Sequence, residues 1–206
     1  MKVAEIFSSL QGEGRYAGYP MLFIRTSGCS RSCNWCDTKQ HINGKDVSVQ
    51  KILKTIRESK IKRICFTGGE PLLQIEDILQ VVFYVYGEYS CHLETNGDLL
   101  SDNTEDISQV FDYISISPKE RSVAEQCKKV LKKFCDEDAY DIKVVTDLKT
   151  VGINMLKYAT ILMPFTFGNV AKDLLIRQSV WQYCVDNNLR YSPRLHYEIF
   201  GKKRGV

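Results

Sequence analysis

The sequence predicts an α/β fold, a partial, open β/α barrel of about six parallel strands built as a single domain over residues 1–206. Short apolar runs alternate with stretches of helical periodicity along the chain, and that alternation implies a parallel sheet with crossover helices. The apolar runs end in glycines and polar residues, which gathers ligand-type side chains on one rim, where β/α architectures place their sites. A chain of 206 residues, 44% hydrophobic and 26% charged, suits one sizeable core, and no linker, internal repeat or low-complexity tract divides it.

Residues 2–8 read as a first strand, broken by Leu10-Gln11-Gly12-Glu13-Gly14, where two glycines flank a carboxylate and let backbone come close to a ligand or turn a hairpin. Pro20 to Arg25 is a second apolar strand, and Arg25 near its end is suited to an ion pair or to an anion held by both guanidinium nitrogens. Ser48 can cap a helix whose Val49, Ile52, Leu53 and Ile56 share a face. Arg63 to Thr67 is a buried strand running into Gly68-Gly69-Glu70-Pro71, with Pro71 placed for the first turn of the next helix. A helix near 75–86 precedes a strand at Cys91 to Thr95, closed by Asn96-Gly97, and another strand at Tyr113 to Ile116 ends in Ser117-Pro118-Lys119. Val123, Cys127, Val130, Leu131 and Phe134 mark a further helix. Strands follow at Ile142 to Val145 and Thr160 to Pro164, then a long helix marked by Val170, Leu174, Trp181, Cys184 and Val185.

Between the second strand and the first helix lie Cys29, Cys33 and Cys36, with spacings of four and three residues that let three thiolates converge on one centre. A structural zinc site closes its tetrahedron with four protein ligands, for which His41 is the available fourth, whereas a 4Fe-4S cluster on three cysteines keeps one iron open. The other five cysteines, Cys65, Cys91, Cys127, Cys135 and Cys184, sit in apolar or amphipathic segments and read as small buried hydrophobes. His92, in an apolar strand, reads as a core histidine, and Lys128, Lys129, Lys132 and Lys133 as a solvated helix face.

The net charge is +3 with scattered basic residues, so neither nucleic acid nor a membrane surface is expected as a partner. No apolar run approaches the ~18 residues of a membrane span, and Met1 to Phe7 lacks a secretory core, which places the expected location in the cytoplasm with reduced cysteines.

The C-x3-C-x2-C spacing resembles that of radical S-adenosylmethionine (SAM) enzymes. Together with Glu5-Ile6-Phe7, the Gln11-Gly12-Glu13-Gly14 stretch, Phe23-Ile24-Arg25, Trp35-Cys36-Asp37-Thr38, Thr67 to Pro71, Glu94 to Gly97, Ser117-Pro118-Lys119 and the ending Arg194-Leu195-His196 to Gly205-Val206, the chain is similar over nearly its whole length to the radical SAM family that makes 7-carboxy-7-deazaguanine for queuosine and deazapurine biosynthesis. The resemblance implies the fold named above in its radical SAM form, a 4Fe-4S cluster on Cys29, Cys33 and Cys36, SAM and Mg2+. It implies SAM contacts from Trp35, Asp37, Gly68, Gly69, Glu70, Glu94, Ser117, Pro118, Lys119, Met163 and Pro164, and pterin contacts from Leu10, Gln11, Gly12, Glu13, Arg25, Thr67 and the carboxylate of Val206. Thr38 is implied as the magnesium ligand, although the same residue also suits a turn cap. Ring contraction of 6-carboxy-5,6,7,8-tetrahydropterin with loss of ammonia, a flavodoxin or ferredoxin as electron donor, and a homodimer follow from the same likeness. Ser30 and Met163 depart from the asparagine and glutamine usual there. A glycyl-radical activase would share the cysteine triplet but needs a wide groove for a protein loop, and a noncatalytic iron-sulfur module would need no SAM.

Overall fold

The predicted strands pair into one sheet in the computed structural model, which describes residues 1–34, 36, 43–201, 203 and 205. Among these residues nine strands are placed: β1 Lys2–Leu10, β2 Pro20–Thr26, β3 Lys45–Asp46, β4 Arg63–Gly68, β5 Ser90–Thr95, β6 Tyr113–Ile116, β7 Tyr140–Thr146, β8 Ile161–Pro164 and β9 Arg190–Tyr191. Their order across the sheet is β3-β1-β2-β4-β5-β6-β7-β8-β9, so β3 and β9 are its edges and the barrel is open. Every pair from β2 to β9 is parallel, while β1 runs antiparallel to both β2 and β3. Seven strands are therefore parallel, the surplus over the expected six being the two-residue edge β9.

The helices are α1 Val49–Glu58, α2 Ile75–Val85, α3 Leu100–Val110, α4 Arg121–Phe134, α5 Val170–Asp186 and α6 Leu195–Phe200. Ser48 caps α1 by accepting from the Lys51 amide. Pro71 opens a 3-10 turn over Pro71–Gln74 that leads into α2. Helix α3 and a 3-10 segment at Ile153–Tyr158 go beyond the expected elements: α3 is polar and buries only Leu100, Thr104 and Ile107, and the six-residue 3-10 segment is too short to display a helical period. So few anchoring residues show no period in sequence; the neighbouring α4 holds α3 in place.

Period-two alternation divides the strands between two environments. Leu22, Ile24, Ile64, Phe66, Leu93, Ile114, Ile116, Ile142, Val144 and Leu162 join the helices in the main core. Met21, Phe23 and Cys65 form a second apolar cluster with Phe7 and Tyr16, on the face that carries the polar site residues. The loop 11–19 after β1 folds back against that face. Its Tyr16 ring meets His92 and Tyr113 edge-on at 4.5 and 4.8 Å, so His92 is the core residue expected, 3% exposed. Cys65, Cys91, Cys127 and Cys184 are likewise buried and Cys135 partly so.

Candidate active site

Strand alternation brings Arg25, Thr67, Glu94 and Ser115 to the same sheet face as Lys143, and the chain after β1 adds Gln11 and Glu13 to them. Gln11 donates from Nε2 to Glu94 Oε1 at 2.8 Å, and its own Oε1 accepts from the Glu13 amide at 3.1 Å. Lys143, only 2% exposed, donates to Glu13 Oε2 at 2.6 Å and stands 3.9 Å from Glu94 Oε2. Arg194 and His196, from the segment that starts α6, approach Glu13 Oε1 at 3.4 and 3.9 Å. Burial alone would raise the Glu13 carboxyl, but Lys143, Arg194 and His196 pull it down to about 2. Lys143 shows the same balance reversed: burial would lower it, and the Glu13 and Glu94 charges hold it above its ordinary range. The outcome is an ionised, acceptor-only carboxylate fixed inside the sheet's concavity. Beside it a cavity of about 10 Å³, lined by Gln11, Tyr16, His92, Glu94 and Tyr113 among others, has room for one water at most.

Nearer the strand ends, Arg25 bonds Glu5 at 2.7 Å and lies over the Phe7 ring, so of its two sequence readings the ion pair is the one seen here. Thr67 is buried beside it, in register across β2 and β4. Lys119 donates to Ser117 Oγ at 3.1 Å in the turn after β6, and Met163 and Pro164 are buried in β8 opposite Val145 and Thr146. Leu10 is half exposed at the far end of β1, opposite Pro20, away from this group.

The turn after β4 is tightly specified. Gly68 has φ +146°, and a Cβ there would run into the Thr26 backbone. Glu70 is fully buried: its Oε1 accepts from the Leu72 amide and Thr95 Oγ1 at 3.0 and 2.8 Å, and its Oε2 from the Asn96 amide at 2.8 Å. Burial holds its carboxyl above the usual range against those bonds. A side chain so committed ties the end of β5 to the turn after β4, and the Gly69 amide donates in turn to Thr26 O at 3.4 Å.

The cysteine loop hangs above the same strand ends. Glu70 donates its amide to Gly28 O at 2.9 Å, and Asn96 Nδ2 donates to Ser30 Oγ at 2.9 Å. Arg31 grips Asp98 through Nε and Nη2, each within 2.7 Å, and reaches Glu120 at 2.6 Å. Ser30 also donates to Asp98 at 2.8 Å. Cys29, Cys33 and Cys36 are free thiols, partly exposed, and the Cys36 amide bonds Cys33 O at 3.1 Å. Among the described residues no set of three His, Cys, Asp or Glu side chains is gathered for a single metal ion. Burial holds the Cys29 thiol above its ordinary range, a penalty that disappears when a metal replaces the proton. Three accessible, unpaired thiols on one short, tethered loop fit a cluster of the open-iron kind. Trp35, Asp37, Thr38, His41 and Val206 lie outside the described residues.

The structure thus brings together Gln11, Glu13 and Glu94, and separately the cysteine loop with Glu70. Sequence reasoning missed Lys143, Arg194, His196 and the Arg31–Asp98 clamp. A lysine inside the apolar run Ile142 to Val145 was the available signal; the others are long-range pairings with no local trace. A roomier groove of about 790 Å³ lies on the helical side, lined by Arg121, Lys128, Lys157 and Tyr183 among others, away from these residues.

The model of the radical SAM superfamily matches residues 23–171. A 7-carboxy-7-deazaguanine synthase from Thermoplasma acidophilum is 39% identical over the whole of both chains. The chain belongs to the 7-carboxy-7-deazaguanine synthase family of the radical SAM superfamily. Family members from Clostridium acetobutylicum and Pyrobaculum aerophilum are 31% and 29% identical, with the whole of this chain and 99% and 97% of theirs aligned. The crystal structure of QueE from Escherichia coli superposes with a TM-score of 0.60 at 21% identity, over 95% of this chain and 94% of that one, which supports the shared open-barrel fold of the synthase family.

Proposed function

We propose that this radical SAM enzyme converts 6-carboxy-5,6,7,8-tetrahydropterin to 7-carboxy-7-deazaguanine and ammonia, with Mg2+ at Thr38. The observation that carries the reading is the ionised Glu13, held with Gln11 and Glu94 in the concavity of a sheet whose strand ends carry a three-thiol loop. Cys29, Cys33 and Cys36 hold the cluster. When bound, cluster and SAM would supply the radical chemistry that removes a hydrogen from C6 of the pterin, with SAM restored at the end of the cycle.

The chain's own residues bind, orient and exclude water. A pterin presents a guanidine-like edge of N–H donors, and Glu13, as an acceptor that stays charged, meets such an edge. Arg25 can exchange its Glu5 partner for the substrate carboxylate, keeping a charge-assisted bond throughout. Thr67 closes the side of the site next to Arg25. Ser117, Pro118, Lys119, Met163, Pro164 and the backbone of Gly68 and Gly69 line the SAM side, with Trp35, Asp37 and Glu94. A flavodoxin or ferredoxin supplies the electron, and the active form is a homodimer.

An anaerobic assay with SAM, dithionite and the carboxypterin tests the function. Expected are ammonia and the deazapurine in equal amounts with SAM conserved. Cleavage of SAM at the same rate with and without the pterin, and no deazapurine, would overturn it. Arg25→Ala is expected to weaken pterin turnover while leaving slow, uncoupled SAM cleavage intact; loss of both assigns Arg25 to SAM or to the fold.

A further inference from the structure

Residues 29–34 belong to no helix or strand, and the polar contacts that fix the start of this stretch converge on the turn after β5. That turn is itself rigid. Gly97 has φ +87°, and a Cβ there would run into the Cys127 Sγ and Ile116 side-chain atoms, so the turn is pressed against the core. The Gly97 amide donates to Thr95 Oγ1 at 3.0 Å, and the Asp98 amide to Asn96 Oδ1 at 2.9 Å. The Asp98 carboxylate is thus presented from a fixed backbone, and its two oxygens face the cysteine loop.

Asp98 holds two consecutive residues of that loop. Its Oδ2 accepts from Ser30 Oγ at 2.8 Å and from Arg31 Nε at 2.7 Å, and its Oδ1 accepts from Arg31 Nη2 at 2.7 Å. Ser30 Oγ also accepts from Asn96 Nδ2 at 2.9 Å; a hydroxyl can take and give a hydrogen bond through one oxygen, which is a use for the serine that stands where asparagine is usual. Ser30 and Arg31 flank a single peptide bond. Because the peptide unit is planar, pinning the side chains on both sides of it leaves its N–H little freedom to turn. That N–H is the Arg31 amide, and it donates to Cys29 Sγ at 3.5 Å. A hydrogen bond to a cluster thiolate draws electron density off the sulfur and favours the reduced cluster. Glu120, on the solvent side of Arg31, is 60% exposed and adds little to this hold. We propose that Ser30, Arg31 and Asp98 are positioning residues for the cluster, which aim the Arg31 amide at the Cys29 sulfur and so raise the cluster's reduction potential. The proposal goes beyond the functional reading and rests on it only for a cluster held by Cys29.

An anaerobic redox titration of the reconstituted, SAM-free protein, followed by the electron paramagnetic resonance signal of the reduced cluster, tests it, with iron content and far-UV circular dichroism showing that each variant is loaded and folded. Ser30→Ala and Arg31→Lys keep the net charge of the chain while each releases one side of the peptide, since lysine cannot reproduce the guanidinium fork. Both are expected to move the midpoint potential to more negative values, and Ser30→Thr, which keeps the hydroxyl, to return it to that of the parent. Asp98→Asn discriminates by sign: removal of a negative charge alone would raise the potential, whereas a loosened N–H···S bond lowers it, and a lowered value is expected. Ser30 is exposed, so its truncation reads the effect even where the clamp variants fold poorly. An unchanged midpoint in Ser30→Ala and Arg31→Lys would overturn the proposal while leaving the cluster in place. A raised midpoint in Asp98→Asn would reduce Asp98 to a nearby charge and overturn it likewise. A parent that takes up no iron would overturn the cluster assignment and this proposal with it.

Discussion

Glu13 is held ionised by neighbours more than a hundred residues away in sequence, and the cost of disturbing that balance is measurable. Its folded pKa of about 2 lies below the ordinary 4.5, so its contribution to stability is complete above pH 4.5 and is lost as pH falls toward 2. His92 adds a second window. Burial, the larger influence, takes it to about 4 from 6.5, so the unfolded chain binds the proton first and stability drops between pH 6.5 and 4. Urea titrations across pH are expected to show a loss in two stages, with His92→Phe flattening the upper stage and Glu13→Gln the lower, each by about 3 kcal/mol. An unchanged upper stage in His92→Phe would mean His92 does not titrate there. Lys143→Met is expected to cost more, about 3–5 kcal/mol, because it leaves Glu13 and Glu94 facing each other without the buried cation. Among the thiols the sequence spacing alone separates roles: Cys33→Ala is expected to lose nearly all reconstituted iron while the buried Cys65→Ala keeps it, and equal loss would sink the cluster assignment. That contrast was legible because ligand spacing is local. The partners of Glu13 were not, because which charge meets which is decided by the order of strands across the sheet.

Between elements, Glu70 decides how the turn after β4 meets the end of β5. Three protein donors converge on a carboxylate with no exposure, so Glu70→Gln puts an amide donor against another donor inside the protein. The SAM-free, cluster-free variant is expected to melt several degrees below the parent, at 2–4 °C per kcal/mol for a chain of about this size. An unchanged melting temperature with weakened SAM binding would instead make Glu70 a direct ligand. Gly68→Ala carries the complementary expectation: its Cβ would meet Thr26, so SAM affinity and stability fall together. The Gly-Gly-Glu-Pro stretch was readable as a turn because glycines followed by proline close a buried strand and open the next helical segment. Its glutamate's internal role was not, since a motif names residue types and not which donors surround them. Helix α3 shows the other limit: a helix that buries three side chains has no period for a sequence to display.

Across the whole molecule, an open sheet needs something to hold its curvature, and residues 11–15 supply it. From this one segment Gln11 reaches Glu94 in β5, Glu13 reaches Lys143 in β7, the Gly14 amide reaches Ser192 Oγ at 2.8 Å after β9, and Gly12 O accepts from the Leu195 amide at 3.0 Å. Arg15 completes the strut on Asp141 of β7, at 2.8 Å from Nε, and that carboxylate is 1% exposed. Asp141 also accepts from Tyr113 of β6, from Thr160 Oγ1 and from Arg190 of β9, so one charge ties the first loop to three strands' worth of the far half. The segment read in sequence as a substrate contact is, in the structure, the pillar across the concavity. Asp141→Asn keeps the shape but leaves the Arg15 and Arg190 guanidinium groups without a buried counter-charge, at a cost of about 3–5 kcal/mol. Because the strut joins both halves of a single sheet, the loss should appear as one cooperative urea transition moved to lower denaturant, with the melting temperature down on the order of 10 °C. A second, earlier transition in the variant would show that the halves fold independently, and a shift under about 2 °C would show that the curvature is held by the strand ladder alone.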